Sequence, residues 1–451
     1  MTTSLVLLTR DLRIHDNPAL HAAAQAERVV VLFVFDDTIL HSRYAAPNRK
    51  AYLLDALTDL QTRLRKIGGD LVVCYGDTTE QVADVVRVTN ADTLHVSEDH
   101  SRYARKRVQH LRTIPGLNVK EHRGITIRRI GELLTTTGTP YLVFTPYWNR
   151  FAATPLPDAV PAITSLPHPT AAGITDVGVL PDYATFIAGA AANRERGGET
   201  RARAAADMFF KTSPDPALRD VPAVIGTSRL SAHLHFGTIS PTELALRVSR
   251  RNAAQDAFIR QLCWREFHHQ LLVIAPNVAR SDIRTHHDEW LTDNDAFAAW
   301  QNGMTGYPLV DAGMRQLLDE GYMHNRVRMV VASFLTKHLR IDWRLGAWHF
   351  MDHLTDGDVA VNFGQWQWAA GTGTDSRPNR MFNPVRQSER FDPKGEYIRR
   401  YVPELADVDA PAIHQPWAAG LFAPAGYPEP IIEHDFARQR FLTARSAKDE
   451  A

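Results

Sequence analysis

The sequence predicts two unlike halves: an α/β N-terminal domain built on a doubly wound parallel sheet, and a large all-α C-terminal domain. Three observations carry that expectation. Short β-branched runs alternate with amphipathic stretches over the first 125 residues, a Pro/Ala/Thr-rich segment of low charge follows at 151–186, and from about residue 200 helical periodicity replaces the strand signal. The expected division is a sheet domain at 1–130, a connector at 131–200 and a helical domain at 201–451.

Residues 4–8, 29–35, 71–75 and 93–97 read as strands buried on both faces, because their apolar runs are continuous; residues 117–120 form a weaker fifth. Helical patterns lie between them near 18–26, 49–67, 79–89 and 103–113. Asp16-Asn17-Pro18 is a helix start, a capping side chain followed by proline at the first helical position. Gly68-Gly69 stops the second helix. Strand and helix alternating at this spacing imply parallel pairing. No G-x-G-x-x-G follows the first strand, which argues against an ordinary dinucleotide binder. The 151–186 segment reads as a connector laid over the surface. In the second half, Ser240-Pro241-Thr242-Glu243 is a capping box with proline in its first turn.

Composition bounds the function. A chain of 451 residues that is 44% hydrophobic and 23% charged has ample material for a core, which excludes a disordered or collagenous protein. Two cysteines, Cys74 and Cys263, are too few for a disulfide framework and point to a reducing cytosol. The first residues lack the pattern of a signal peptide, and nowhere do 18 apolar residues run together. Fifty-one basic residues balance 51 acidic ones, so net charge selects no partner. Arginine outnumbers lysine 43 to 8, which a GC-rich genome also explains, so only arginine placement counts.

Seven of the nine tryptophans fall between Trp264 and Trp368, interleaved with Arg, His and Asn. A large helical core would use tryptophan too, but several sit beside charged groups, a mixture suited to a planar ligand and unstacked bases. Gln261, Trp264, Arg265 and His268 share one helix face; Tyr322, Asn325, Arg328 and Met329 share another, with Arg326 beside them. Thr227, Ser228, Arg229, Leu230 and Ser231 supply hydroxyls and backbone N–H groups just before a helix, a way to hold phosphate without a Walker lysine. Asp356-Gly357-Asp358, with Asn362 four residues on, suits a carboxylate paired to Arg328, or one accepting from a ring N–H or ribose, better than a metal. His349 with His353, His268-His269 and His286-His287 resemble half a zinc site and lack the other half. No nucleophile motif appears.

Together, TSRLS at 227–231, WREF at 264–267, MHNRVRM at 323–329 and DGDVAVNFGQWQWAAGTGTD at 356–375 resemble the photolyase/cryptochrome family, and RDLRIHDNPAL at 10–20 and GYPLVDAGMRQL at 306–317 agree. The resemblance implies an α/β domain, a long linker and a helical domain holding U-shaped FAD. By motif, Thr227, Ser228 and Ser231, with Arg229 and Leu230 between them, would hold the FAD phosphates. Asp356, Gly357 and Asp358 would meet the isoalloxazine and ribose, with Arg328 paired to Asp356. Asn325 would bond flavin N5, and Asn362 and Arg265 would complete the shell. Trp264 and Trp368 would stack against a flipped-out lesion edged by Gln261, Asn325 and Met329, with Arg219 and Arg326 on its phosphates. Trp290, Trp343 and Trp366 match the family's electron-transfer chain from the surface to the flavin.

The activity so implied is repair of cyclobutane pyrimidine dimers by one electron from photoexcited reduced FAD, with UV-damaged DNA as partner. A cytoplasmic monomer is expected, with no membrane and no obligate protein partner. The sequence departs from the family pattern at three places: Gln261 where cyclobutane-dimer enzymes carry Glu, Ser213-Pro214-Asp215-Pro216 where a Tyr often contacts FAD, and Tyr322 where Trp is frequent. Gln261 is shared with (6-4) photolyases, but the pair of His that those carry on the Asn325/Met329 helix is absent. A cryptochrome without repair is the second reading, and it usually has a C-terminal extension; a plain flavin electron carrier is the third. The antenna chromophore stays open. The folate-contacting Asn-Glu pair is not evident at 100–104, while Arg49 and the crevice above the sheet suit 8-hydroxy-5-deazaflavin, and an empty site is equally compatible.

Overall fold

The computed structural model describes residues 2–285, 288–375 and 377–449. Strands β1 (Thr3–Leu7), β2 (Arg28–Asp36), β3 (Leu71–Gly76), β4 (Thr93–Ser97) and β5 (Asn118–His122) form one sheet of order β3-β2-β1-β4-β5, with every pair parallel. Leu5 lies opposite Val30 on one side and Leu94 on the other. Alternation across the pleat divides the sheet's side chains between two cores. Val6, Leu8, Val31 and Phe33 pack on one face with Tyr52, Leu57 and Leu60 of the helix Pro47–Lys66. Leu5, Leu7, Val30 and Leu32 pack on the other with Val82 and Val85 of the helix Thr78–Thr89. Both faces are covered, as a parallel sheet requires. Asn17 caps the first helix by accepting from the Leu20 N–H at 3.0 Å, and that helix ends at Ala23, earlier than expected.

The helix Phe144–Ala153 extends into the start of the Pro/Ala/Thr-rich segment and buries Phe151. Beyond it the chain straps the open edge of β3. Val73 N–H donates to Val177 O at 2.7 Å, Tyr75 Oη donates to Val179 O at 2.6 Å, and Leu166 N–H donates to Ile67 O at 2.8 Å. Gly178 lies so close to the Val73 carbonyl that a Cβ there would collide with it.

Among the described residues the chain beyond the connector is helical throughout, around a core that includes Trp300, Phe334, Trp343, Phe350 and Trp366. Ser240 caps its helix by accepting from the Thr242 and Glu243 N–H groups. Glu243 does not complete the expected box, because its carboxylate is taken by Arg203 at 2.7 and 2.8 Å. The two halves lock together at one turn. Leu12 N–H donates to Phe236 O at 3.2 Å, Arg13 Nη1 donates to Gly237 O at 3.0 Å, and Tyr52 stacks on Phe236 at 4.5 Å.

Candidate functional site

A cavity of about 300 Å³ opens in the helical half between the 227–231 turn and the helices Ala253–Ile274, Asn325–Ser333 and Val359–Ala370. Four segments spread between residues 227 and 370 thereby line one cavity. Thr227, Ser228 and Ser231 line one end; Arg265, Arg328, Asp356, Asp358, Asn362 and Trp366 line the interior; Arg219, Gln261, Trp264, Asn325, Met329 and Trp368 line the rest.

Arg328 Nη2 donates to both oxygens of Asp356, at 3.0 and 3.2 Å, while its Nε donates to Met323 O at 2.7 Å. Burial works to raise the Asp356 carboxyl, but the Arg328 guanidinium and the Ser231 hydroxyl outweigh it and hold the group below the usual carboxylate range. Asp358 is driven further down. Burial opposes ionisation there too, and the adjoining Arg10 charge, with His269 and His235, overrides it. The Asp358 carboxylate also caps the last of these helices by accepting from the Val361 N–H at 3.0 Å. Arg265 spans two backbone carbonyls, Ile125 O and Leu234 O, and the Asn362 amide donates to Ala347 O at 2.9 Å. Trp264 stacks face to face on Phe144 with centroids 3.5 Å apart.

Other expected residues flank the cavity instead of lining it. Arg229 takes a left-handed backbone (φ 51°), and its guanidinium turns away to Glu320 at 2.7 Å and over the Tyr322 ring at 4.1 Å. Arg328 lies over the same ring at 5.5 Å, so Tyr322 is a π-face shared by two guanidinium groups. Leu230 is buried in the core. Gly357 faces the sheet domain, where a Cβ would come within 2.6 Å of Arg49 Nη1. Arg326 pairs with Asp220 at 2.8 Å and Arg219 approaches the same carboxylate at 3.9 Å, which brings the two arginines together beside the cavity. Pro214 and Pro216 line the cavity where a Tyr was the family expectation. Trp366 packs edge-on against Phe350 at 5.0 Å, Trp343 is fully buried and donates its indole N–H to Asp282 at 2.9 Å, and Trp290 is half-buried against the same core.

Sequence reasoning missed Trp300, fully buried and edge-on to Trp366 at 6.0 Å; its spacing is that of any core tryptophan. It also assigned no role to Arg10 or His235. Among the described residues no group of three or more ligating side chains occurs; the expected pair His286-His287 lies outside them. The His349 and His353 rings pack 4.6 Å apart, with His349 hydrogen-bonded to Gln301 at 3.1 Å.

Desolvation by burial pushes His235, His268 and His100 down to about 4 from an ordinary value of 6.5, and His269 well below it. All four are neutral in the fold. The unfolded chain takes up protons near pH 6.5, whereas the folded one resists to about 4, so stability is lost as pH falls through that window. Urea midpoints measured from pH 7 to pH 4 should fall steeply, each such histidine contributing up to about 1.4 kcal/mol per pH unit.

A second cavity of about 640 Å³ lies above the C-terminal ends of β1 and β2, between the sheet and the helical half. Arg10, Arg49, Lys50, Arg102 and Arg107 give it basic walls, against Asp36 and Asp99. Asp36 accepts from the Thr78 and Tyr103 hydroxyls. Arg49, expected beside an antenna, crosses to the helical half and donates to Leu354 O at 2.7 Å. His235 borders both cavities.

Residues 4–168 match the family described as DNA photolyase, and residues 258–447 match the FAD binding domain of DNA photolyase. The deoxyribodipyrimidine photo-lyase of Streptomyces griseus is 43% identical over 463 positions that cover 99% of each chain. A bacterial class III photolyase from Agrobacterium tumefaciens superposes with a TM-score of 0.90 at 34% identity, covering 100% of this chain and 98% of that one. An archaeal photolyase from Sulfolobus tokodaii, described with two FAD molecules, superposes at 0.87 with 29% identity and full coverage of both chains.

Proposed function

The chain belongs to the DNA photolyase family, and from that premise we propose that it is a deoxyribodipyrimidine photo-lyase which repairs cyclobutane pyrimidine dimers in UV-damaged DNA. The observation that carries this reading is the single cavity uniting a hydroxyl-rich turn, the Arg328–Asp356 pair and a rim of Trp264, Trp368, Met329 and Gln261. The donor set fits FAD: hydroxyls for its phosphates, a carboxylate held ionised by an arginine, and apolar walls from Leu262, Ala332 and Phe350 for a ring system. Bound in reduced form, FAD supplies one-electron donation under blue light.

The chain's own residues do the rest. Thr227, Ser228 and Ser231 anchor the phosphates; Arg328 keeps Asp356 anionic and oriented; Asn325, Asn362 and Arg265 complete the flavin shell. Trp264, backed by Phe144, and Trp368 stack against the extruded bases, and the Gln261 amide donates to and accepts from a thymine edge. Arg219 and Arg326, gathered around Asp220, hold the phosphates of the lesion strand. Half-buried Trp290, fully buried Trp343 and Trp366 in the cavity wall relay electrons inward. Residues 1–130 act as the antenna domain, 131–200 as connector and 201–451 as catalytic domain. The basic second cavity suits an anionic antenna chromophore. Cys74 and Cys263 are both free, and no helix of the described residues is long and apolar enough to cross a membrane; a cytoplasmic monomer accords with this.

Splitting of the cyclobutane ring in a dimer-containing oligonucleotide under blue light, but not in the dark, tests the reading; a cryptochrome or a plain electron carrier would leave the dimer intact. Trp264→Ala and Trp368→Ala should each weaken dimer-DNA binding by roughly 1–3 kcal/mol with FAD retained, and unchanged lesion affinity in both would remove the rim from the lesion site. At Gln261 a neutral amide offers only hydrogen bonds, each about 0.5–1.5 kcal/mol net. Gln261→Glu should keep cyclobutane-dimer repair at equal or higher quantum yield without gaining activity on (6-4) products. Wild-type repair of the (6-4) product in place of the cyclobutane dimer would reverse the substrate assignment.

A further inference from the structure

The carboxylate of Asp358 lines the first cavity, yet its charge partner comes from the other half of the molecule. Arg10 leaves the sheet just beyond β1, and its guanidinium donates to Asp358 from Nη2, to Asp99 at 3.4 Å from Nη1 and to His235 O at 3.0 Å from Nε. Asp99 follows β4, the neighbour of β1 at the point where the strand order reverses. Doubly wound sheets usually receive ligands at that point. Here it also sends an arginine across the domain boundary.

We infer that Arg10 is a positioning residue of the flavin site: it neutralises and orients Asp358, fixes through it the start of the helix that carries Asn362, Trp366 and Trp368, and thereby sets the reduction potential of a flavin held in the first cavity. The inference rests on the reading that FAD binds there.

The geometry leaves Asp358 few other partners for its charge. One of its oxygens accepts from the Val361 N–H at 3.0 Å; the other meets Arg10 and lies 3.6 Å from His235 Nδ1 and 3.8 Å from His269 Nε2. Both imidazoles are buried and neutral, so neither supplies a cation. Arg265 bears on Asp358 electrostatically, but its two hydrogen bonds go to Ile125 O and Leu234 O, and Arg10 is the cation bonded to the carboxylate. Removing Arg10 therefore leaves a buried anion in the cavity wall, and an uncompensated negative charge disfavours adding electrons to a flavin beside it. The capping bond couples the same carboxylate to the placement of the whole helix.

The test uses the full chain with FAD, following FAD affinity by fluorescence titration and the midpoint potential of the bound flavin by dye-coupled reduction. Arg10→Gln should weaken FAD binding about tenfold to hundredfold and move the midpoint potential to more negative values. Arg10→Lys, which keeps the charge, should hold the potential near wild type. Arg10→Gln/Asp358→Asn, which removes the orphaned anion, should return it there. An unchanged potential in Arg10→Gln, or equal shifts in the Gln and Lys variants, would overturn the inference and leave Arg10 a domain fastener only. If Arg10→Gln does not fold, the double variant decides: folding with a near-wild-type potential supports the role, and failure to fold overturns it. A wild type that binds no FAD would instead overturn the functional reading itself.

Discussion

Trp366→Phe is expected to abolish light-driven reduction of enzyme that carries oxidised FAD, while enzyme reduced chemically beforehand cleaves dimers at close to the wild-type rate. The two outcomes separate because Trp366 lines the cavity and also belongs to the helical core, whereas the aromatics proposed to stack on the lesion are Trp264 and Trp368. Phenylalanine preserves edge-on packing with Phe350 at 5.0 Å and Trp300 at 6.0 Å, so the fold should be little changed. A phenyl ring gives up an electron far less readily than an indole. Steady illumination with an external reductant, followed by flavin absorption, measures the first quantity, and a single-turnover flash on pre-reduced enzyme measures the second. Ordinary photoreduction in the variant would take Trp366 off the route.

Gly237→Ala should be strongly destabilising. Gly237 ends the helix Ser231–Phe236 in the left-handed region (φ 63°), and a Cβ would drive into the Arg10 carbonyl and the Asp11 backbone. Both obstacles are backbone, which cannot swing aside as a side chain would. Left-handed strain of about 1–2 kcal/mol and overpacking of about 1–3 kcal/mol together predict a loss of roughly 2–5 kcal/mol. The damage falls at the seam where Arg13 grips Gly237 O. Denaturant unfolding should therefore show an earlier midpoint, together with FAD release before the sheet melts. A variant as stable as wild type would mean the seam is far more compliant than its geometry indicates.

How much of this was legible beforehand depended on how local the encoding is. The strands at 71–76 and 93–97 could be read to within a residue, because both carry short runs rich in β-branched and apolar residues between helical stretches. β5 was fainter: it is an edge strand with polar, half-exposed side chains. Strand order and the docking of the two halves leave no periodic trace. Most of the cavity residues were legible because they sit inside contiguous motifs, and the pairing of Arg328 with Asp356 followed from the family resemblance that those motifs carry. Arg10 was not, since it and Asp358 are 348 positions apart. Glu243 shows the converse failure, a correct local signal overridden when Arg203 arrives from another helix. Arg229 looked like a phosphate ligand by composition, and its left-handed backbone sends the side chain to Tyr322 instead.

The strap across β3 has a consequence for the protein's behaviour in concentrated solution. A sheet edge with bare N–H and C=O groups is a template on which a second chain can grow a strand, the first step toward filaments. Residues 177–179, held to Val73 and Tyr75, occupy that template with a segment that bears none of the chemistry. Shortening the strap would leave the residues that line the first cavity untouched and yet bare an edge on which a second copy can pair. Colloidal stability and catalysis are thus written into separate stretches of the chain.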